Sequence, residues 1–263
     1  MSERTVREAR RAAVVGAGAW GTTFACLLAE AGTPTTLWAR RDHVAAEINA
    51  GSNERYVPGR RLPEGVSATS DLGRAVEGAD LIVVAVPSQS AREVLSPLQG
   101  GLGPDVLAVS LMKGVELGTG LRMSQVLTEA LDLPAERVAV ISGPNLADEI
   151  AARQPTATVV AATDEAVAAR VAALCATSTF RPYTNTDVLG VELCGAIKNV
   201  IALAVGAAVG CGFGDNSKAT IITRGLVEIT RLGMALGASP ETFSGLAGLG
   251  DLVATCSSPL SRN

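Results

Sequence analysis

Short runs of strand length, several of them continuously apolar (12–15, 81–86, 106–110 and 138–142), recur along the first 185 residues of this 263-residue chain, alternating with stretches of helical spacing. Residues 12–15, 35–38, 81–86, 106–110, 138–142, 156–162 and 180–183 have the length of strands. Residues 20–31, 42–50, 91–98, 121–131 and 165–175 have helical spacing. Runs this apolar suit parallel strands covered on both faces. The alternation predicts a doubly wound α/β domain over 1–187. The polar segment 52–63, with Pro58 and Pro63, reads as a surface loop.

Beyond Asp187 the strand signals stop. Residues 189–209 are apolar at nearly every position, with Glu192, Lys198 and Asn199 the strongly polar exceptions. Residues 220–236 have helical spacing, and Ser239-Pro240-Glu241 has the form of an N-cap with proline at the first helical position. A second, all-helical domain is therefore predicted over 188–263. The apolar stretch 200–213 is interrupted by three glycines and falls short of the ~20 residues that cross a bilayer. It is expected to be a buried core helix, not a membrane insertion.

Hydrophobic residues make up 48% of the chain and charged ones 18%, enough apolar matter for both cores. A net charge of -4 gives no bulk attraction to nucleic acid or an anionic membrane. The charged start MSERTVREARR is followed by no secretory signal pattern. The single histidine, His43, argues against histidine metal cages and a Ser-His-Asp triad. Cysteines 26, 175, 194, 211 and 256 form no CxxC and are odd in number. Reduced, mostly buried thiols in a cytoplasmic protein are expected.

Residues 14–21 read VVGAGAWG, with Gly16, Gly18 and Gly21 in the spacing G-x-G-x-x-G directly between a strand and a helix. Gly16 permits a tight turn, Gly18 lets the backbone approach a pyrophosphate, and Gly21 allows close helix–strand packing. The helix N-terminus faces the anion. Dinucleotide binding is the expectation; a glycine turn used only for packing is the alternative. Where NAD-selective folds place an acid for the ribose, this chain has Arg40 and Arg41. Two arginines suit a 2′-phosphate, so NADP(H) is expected alongside NAD(H). Asp42 comes late for the ribose and is expected to cap the next helix.

The basic residues are 19 arginines and only three lysines, at 113, 198 and 218. A buried lysine gives up a proton near neutral pH and an arginine does not. Lys198 lies in the most apolar helical stretch, where desolvation lowers an ammonium pKa, and is the candidate acid/base. Lys113 follows a strand at the carboxyl edge, where α/β sheets place ligands. For Lys218, functional and solvated readings stand even.

Together these segments resemble bacterial NAD(P)-dependent glycerol-3-phosphate dehydrogenase. The resemblance rests on GAGAWGTTFA at 16–25, LWAR at 37–40, VVAVPSQSAR at 83–92 and SLMKGVE at 110–116. It continues through ISGPNLADEI at 141–150, GVELCGAIKNV at 190–200, GFGDNSKATIITRG at 212–225 and GLGDLVATCSSPLSRN at 248–263. It implies a Rossmann-like domain, a helical domain and an active site between them. The implied reaction interconverts dihydroxyacetone phosphate and sn-glycerol 3-phosphate and supplies glycerophospholipid synthesis. Lys198 is then the acid/base. Lys113, Gly143, Asn145, Asp251, Ser261, Arg262 and Asn263 shape the substrate site. Ala19, Trp20, Arg40, Arg41, Tyr56, Lys113, Ala147 and Arg262 join the glycines at the cofactor.

Cys194 departs from a common glycine, and Asn145 from a common serine or threonine. The family's chain continues for several helices past SRN, carrying an acidic cofactor contact, so the helical domain is expected to be incomplete. The substrate is a phosphorylated triose, with no nucleic-acid or membrane partner and a homodimer as a candidate assembly. A dehydrogenase of similar layout acting on a 3-hydroxy acid or sugar acid, and a non-enzymatic dinucleotide-sensing module, are the alternatives.

Overall fold

The computed structural model describes residues 11–258 and 261. The charged first ten residues, Arg262 and Asn263 lie outside the described residues. The strands are β1 (Ala12–Val15), β2 (Thr35–Trp38), β3 (Val66–Thr69), β4 (Leu81–Val84), β5 (Leu107–Ser110), β6 (Val138–Ser142), β7 (Thr156–Ala162) and β8 (Phe180–Asn185). They form one sheet in the order β3-β2-β1-β4-β5-β6-β7-β8. Around it lie α1 (Ala19–Glu30), α2 (Asp42–Asn49), α3 (Leu72–Val76), α4 (Ala91–Leu95), α5 (Met123–Leu131), α6 (Ala147–Ala151) and α7 (Glu165–Cys175). The chain then turns helical through α8 (Val188–Gly210), α9 (Asp215–Ala235), α10 (Pro240–Ser244) and α11 (Asp251–Ser257).

The central strands are buried along their whole length, so their side chains feed two cores. Val14, Leu37, Val83, Val109 and Ile141 pack with Phe24 and Leu28 of α1 on one face. Ala13, Val15, Ile82, Val84 and Ala108 pack with Leu127 and Leu131 of α5 on the other. Two-sided burial is the physical reason these strands read as unbroken apolar runs.

Three sequence expectations need correction. β7 runs antiparallel to β6, and β8 runs parallel to β7, so the sheet is not parallel throughout. A run such as TATVVAA carries no direction of its own. Its direction follows from α6, whose five residues rise only ~7.5 Å. A five-residue strand is ~17 Å long, so α6 cannot carry the chain back across the sheet. β3 and α3 had no signal because the edge strand reads VSAT, with one buried residue. α9 starts at Asp215 rather than 220, its polar first turns lying in solvent with no apolar stripe to mark them.

The long apolar segment lies in a helix that is mostly buried, as expected, but is longer than the sequence pattern marked and is exposed along part of its second half. α8 spans 23 residues and by length and composition is long and apolar enough to cross a membrane. Its first half is buried, whereas Val200, Leu203 and Val209 on its second half are exposed. The thiols are less hidden than expected: Cys175 and Cys194 are buried, Cys26 and Cys256 half-buried, and Cys211 exposed. All five are free of disulfides. Burial pushes the Cys175 and Cys194 thiols up to about 12.

The helical part has its own core of Cys194, Ile201, Val205, Ile229, Phe243 and Leu252. It meets the sheet where Val188 and Val191 of α8 pack on Val140, Val159 and Ala161. Asp187 ties this junction. Its carboxylate accepts from the N–H of Gly190, capping α8, and from the N–H of Ser239 and the hydroxyl of Thr242 at the start of α10.

Candidate active site

Because β1, β2, β4, β5 and β6 run parallel, the segments that follow them emerge at one edge of the sheet. That edge gathers the glycine turn after β1, Arg40 and Arg41 after β2, Lys113 after β5 and Gly143 after β6. The structure separates the three glycines of the turn. Gly16 has φ +118°, and a Cβ there would meet the Ala85 carbonyl oxygen at 2.7 Å. A Cβ on Gly21 would stand 1.9 Å from the Gly16 oxygen. Gly18 has ordinary extended geometry, and a Cβ there would meet nothing within 4 Å. Two glycines therefore build the turn, and the third opens onto space.

That space fits a dinucleotide. No side chain caps the start of α1, so its first N–H groups, from Ala19 onward, have no capping partner. Trp20 packs on Phe24 and Phe180, yet its buried Nε1 has no partner. Arg40 and Arg41 are exposed and make no ion pair with a described residue. Tyr56 and Ala147 are half-buried, Tyr56 beneath the Arg55 guanidinium. Asp42 is not the cap expected of it. It occupies the first position inside α2, and its carboxylate takes the Ser70 hydroxyl.

Across the edge, α8 and α11 bring two lysines onto one carboxylate. Asp251, 2% exposed, accepts from Lys198 on Oδ1 and from Lys113 on Oδ2, the latter at 2.6 Å. Lys113 also donates to the Gly143 carbonyl at 3.0 Å. Lys198 is 6% exposed, so it does not snorkel to water. Its second partner is the Thr255 hydroxyl at 2.6 Å, one helical turn beyond Asp251. An ammonium has three N–H donors; Asp251 and Thr255 take two and leave one. Burial first, and then the neighbouring charge of Lys113, pull the Lys198 pKa from 10.5 down to about 8.

Gly195 permits this approach. A Cβ there would lie 3.0 Å from Ser142 Oγ and 3.3 Å from Lys113 Cγ. Ser142 Oγ and Asn145 Oδ1 are buried without partners beside this cluster. Asn145 is held by a bond from its amide to the Thr158 hydroxyl at 2.9 Å. Ser261 is half-buried, its N–H on the Ser258 carbonyl. Lys218 is half-buried in α9, with no ion pair to a described residue.

Sequence reasoning missed Thr255, Ser142, Asn53 and the use of Glu192. Ser142 and Thr255 lie inside recognised segments and Asn53 in the expected loop, but a lone hydroxyl or amide carries no sign of what it will meet. Glu192 did carry a signal, as a carboxylate in an apolar helix. It is 8% exposed and accepts from Arg122, from the Ser124 N–H at 2.7 Å and from the Ser124 hydroxyl at 2.6 Å. This places a negative charge on the first turn of α5 and fastens α8 to the sheet domain. Glu192→Ala is expected to cost about 3 kcal/mol in urea unfolding, the low end for unpairing a buried charge, because water still reaches Arg122. Glu192→Gln, which keeps an acceptor, is expected to recover part of that loss.

A family model for the N-terminus of NAD-dependent glycerol-3-phosphate dehydrogenase matches residues 11–168, and one for its C-terminus matches 187–263. The chain belongs to the NAD-dependent glycerol-3-phosphate dehydrogenase family. Relatives named glycerol-3-phosphate dehydrogenase (NAD(P)+) include one from Streptomyces griseus, 61% identical over 254 residues, covering 96% of this chain and 76% of the relative. One from Thermobifida fusca is 58% identical over 255 residues with the same coverage. The crystal structure of glycerol-3-phosphate dehydrogenase from Coxiella burnetii superposes with a TM-score of 0.90 at 38% identity, covering 96% of this chain and 77% of that one. Membership of this dehydrogenase family sets aside the non-enzymatic module, and the match across both halves sets aside the hydroxy-acid and sugar-acid readings.

Proposed function

We propose that the chain interconverts dihydroxyacetone phosphate and sn-glycerol 3-phosphate with NAD(P)(H), Lys198 acting as the acid/base. The observation that carries this reading is the Lys113–Asp251–Lys198 cluster beside the open glycine turn. Two cations share one carboxylate, leaving a surplus positive charge for an oxygen that turns anionic during reduction. Asp251 and Thr255 fix the Lys198 Nζ, so its remaining N–H is free to polarise the C2 carbonyl and then give it a proton. The bound dinucleotide supplies the hydride. Lys113 steadies substrate next to Lys198, with Gly143 and Asn145 forming the wall. Ser261, Arg262 and Asn263 are the proposed phosphate contacts, with Arg262 the fork.

The division into a dinucleotide domain at 1–187 and a substrate domain at 188–263 is part of this proposal. So are a role in glycerophospholipid supply, a cytoplasmic location and the absence of nucleic-acid and membrane partners. A homodimer is the proposed assembly, supported by the exposed apolar face of α8.

The test is NADH or NADPH oxidation with dihydroxyacetone phosphate against unphosphorylated dihydroxyacetone. Turnover of the phosphorylated ketone alone supports the reading, and equal use of the two overturns it. The Lys198 pKa fixes the pH response. The lysine is charged below about 8, and ketone reduction needs the charged form. Reduction is therefore expected to hold below pH 8 and to fall about tenfold per unit above it. Alcohol oxidation needs the neutral amine and is expected to rise with pH and level above 8. Rates in both directions between pH 6 and 10 check the sign.

Cofactor choice rests on Arg40 and Arg41. A charge-assisted bond to a 2′-phosphate is expected to favour NADPH by up to about tenfold, less in salt because both arginines are exposed. Arg40→Asp is expected to swing the NADPH/NADH ratio of kcat/KM toward NADH. An unmoved ratio assigns the arginine to solvent.

A further inference from the structure

A cavity of about 260 Å³ lies behind the dinucleotide turn, between α1, α6 and the 57–63 loop. None of its lining residues belongs to the lysine cluster or the glycine turn. It is cationic in a chain of net charge -4. Arg60, Arg61 and Arg153 line it with one carboxylate, Glu30. Glu30 is taken by Arg153 at 2.9 Å, while Arg60 and Arg61 have no ion-pair partner among the described residues. Arg153 follows α6 at φ +58°, in the left-handed region where glycine is favoured. Thr23 also lines the cavity, 3% exposed, with a buried hydroxyl that has no partner. Leu62 and Ile150 give the rest of the wall an apolar character.

We propose that this cavity is a second, regulatory anion site, taking a small organic phosphate or carboxylate with a short apolar body. Arg60 and Arg61 hold the anionic head, and the aliphatic wall of Leu62 and Ile150 covers the body. At ~30 Å³ per water, the volume suits a head group with a few carbons. The loop that walls the cavity also carries Asn53, 1% exposed. Asn53 donates to the Ala17 carbonyl at 3.2 Å and to the Thr22 hydroxyl at 2.9 Å. Ala17 lies inside the glycine turn, so a ligand that moves the loop acts on dinucleotide affinity. The coupling is reciprocal.

The test is calorimetric titration of n-butyl phosphate and inorganic phosphate into the parent protein, Arg60→Ala/Arg61→Ala and Lys113→Ala, followed by NADH titration with and without butyl phosphate. The parent is expected to bind butyl phosphate about tenfold more tightly than inorganic phosphate. The arginine double variant should lose that binding while keeping kcat/KM for the ketone phosphate within about twofold, and Lys113→Ala should retain it. Butyl phosphate should shift the NADH dissociation constant at least about threefold in the parent and not in the double variant. Binding unchanged by the arginine substitutions, or abolished by Lys113→Ala, overturns the site. An unshifted NADH constant overturns its regulatory role. Binding heat does not depend on turnover, so this result stands apart from that of the proposed reaction.

Discussion

Lys198→Ala is expected to lower kcat for ketone reduction by about 10²–10⁴-fold, the usual loss of a general acid, with NADH affinity within about threefold of the parent. The hydrogen bonds explain why the loss falls on chemistry and not on folding. Asp251 keeps Lys113 at 2.6 Å when Lys198 is gone, so no buried carboxylate is left bare. What disappears is the one N–H left over for the proposed substrate contact and the proton behind it. Lys198→Arg separates the two contributions. Arginine keeps the charge and will not release a proton near neutral pH, so it is expected to fare little better than alanine, with the pH limb near 8 removed. A rate within about tenfold of the parent would sink the proton-donor role. Stopped-flow rates with excess enzyme, together with NADH titration, make the measurement.

The second large effect sets Gly18 against Gly21. Gly18→Val is expected to leave a folded protein that has lost at least about a hundredfold in NADH affinity. Gly21→Ala is expected to lose the fold. A Cβ at 18 meets no atom of the protein within 4 Å and needs no unusual backbone angle, so its bulk falls in the space proposed for the pyrophosphate. A Cβ at 21 lies 1.9 Å from a backbone oxygen of the turn, and neither side can yield without opening the β1–α1 junction. Circular dichroism melts separate the folding effect from the binding effect. Normal NADH affinity in a folded Gly18→Val protein assigns all three glycines to packing.

Much of the sheet was legible because it is buried. Residues 12–15 and 138–142 agree in their boundaries with β1 and β6, since two-sided burial forces continuous apolar runs, and 35–38 and 156–162 agree with β2 and β7 although threonines interrupt them. β3 was illegible for the converse reason: an edge strand with one buried residue leaves no pattern. The exposed start of α9 was lost in the same way.

The sequence by itself determined the kind of chemistry. Glycine spacing between a strand and a helix, a lysine in an otherwise apolar helix, and motifs in a fixed order depend on local residue type, and local type is what a sequence states. Only the tertiary structure decided which groups share a hydrogen bond and a charge. Lys113, Lys198 and Asp251 lie up to 138 positions apart, and no local pattern says that two ammonium groups meet on one carboxylate or that Thr255 takes the next donor. The direction of β7 was likewise decided in three dimensions, because an apolar run is the same read from either end. The division of labour among the three glycines followed too, since packing and open space differ only in what stands 2–4 Å away.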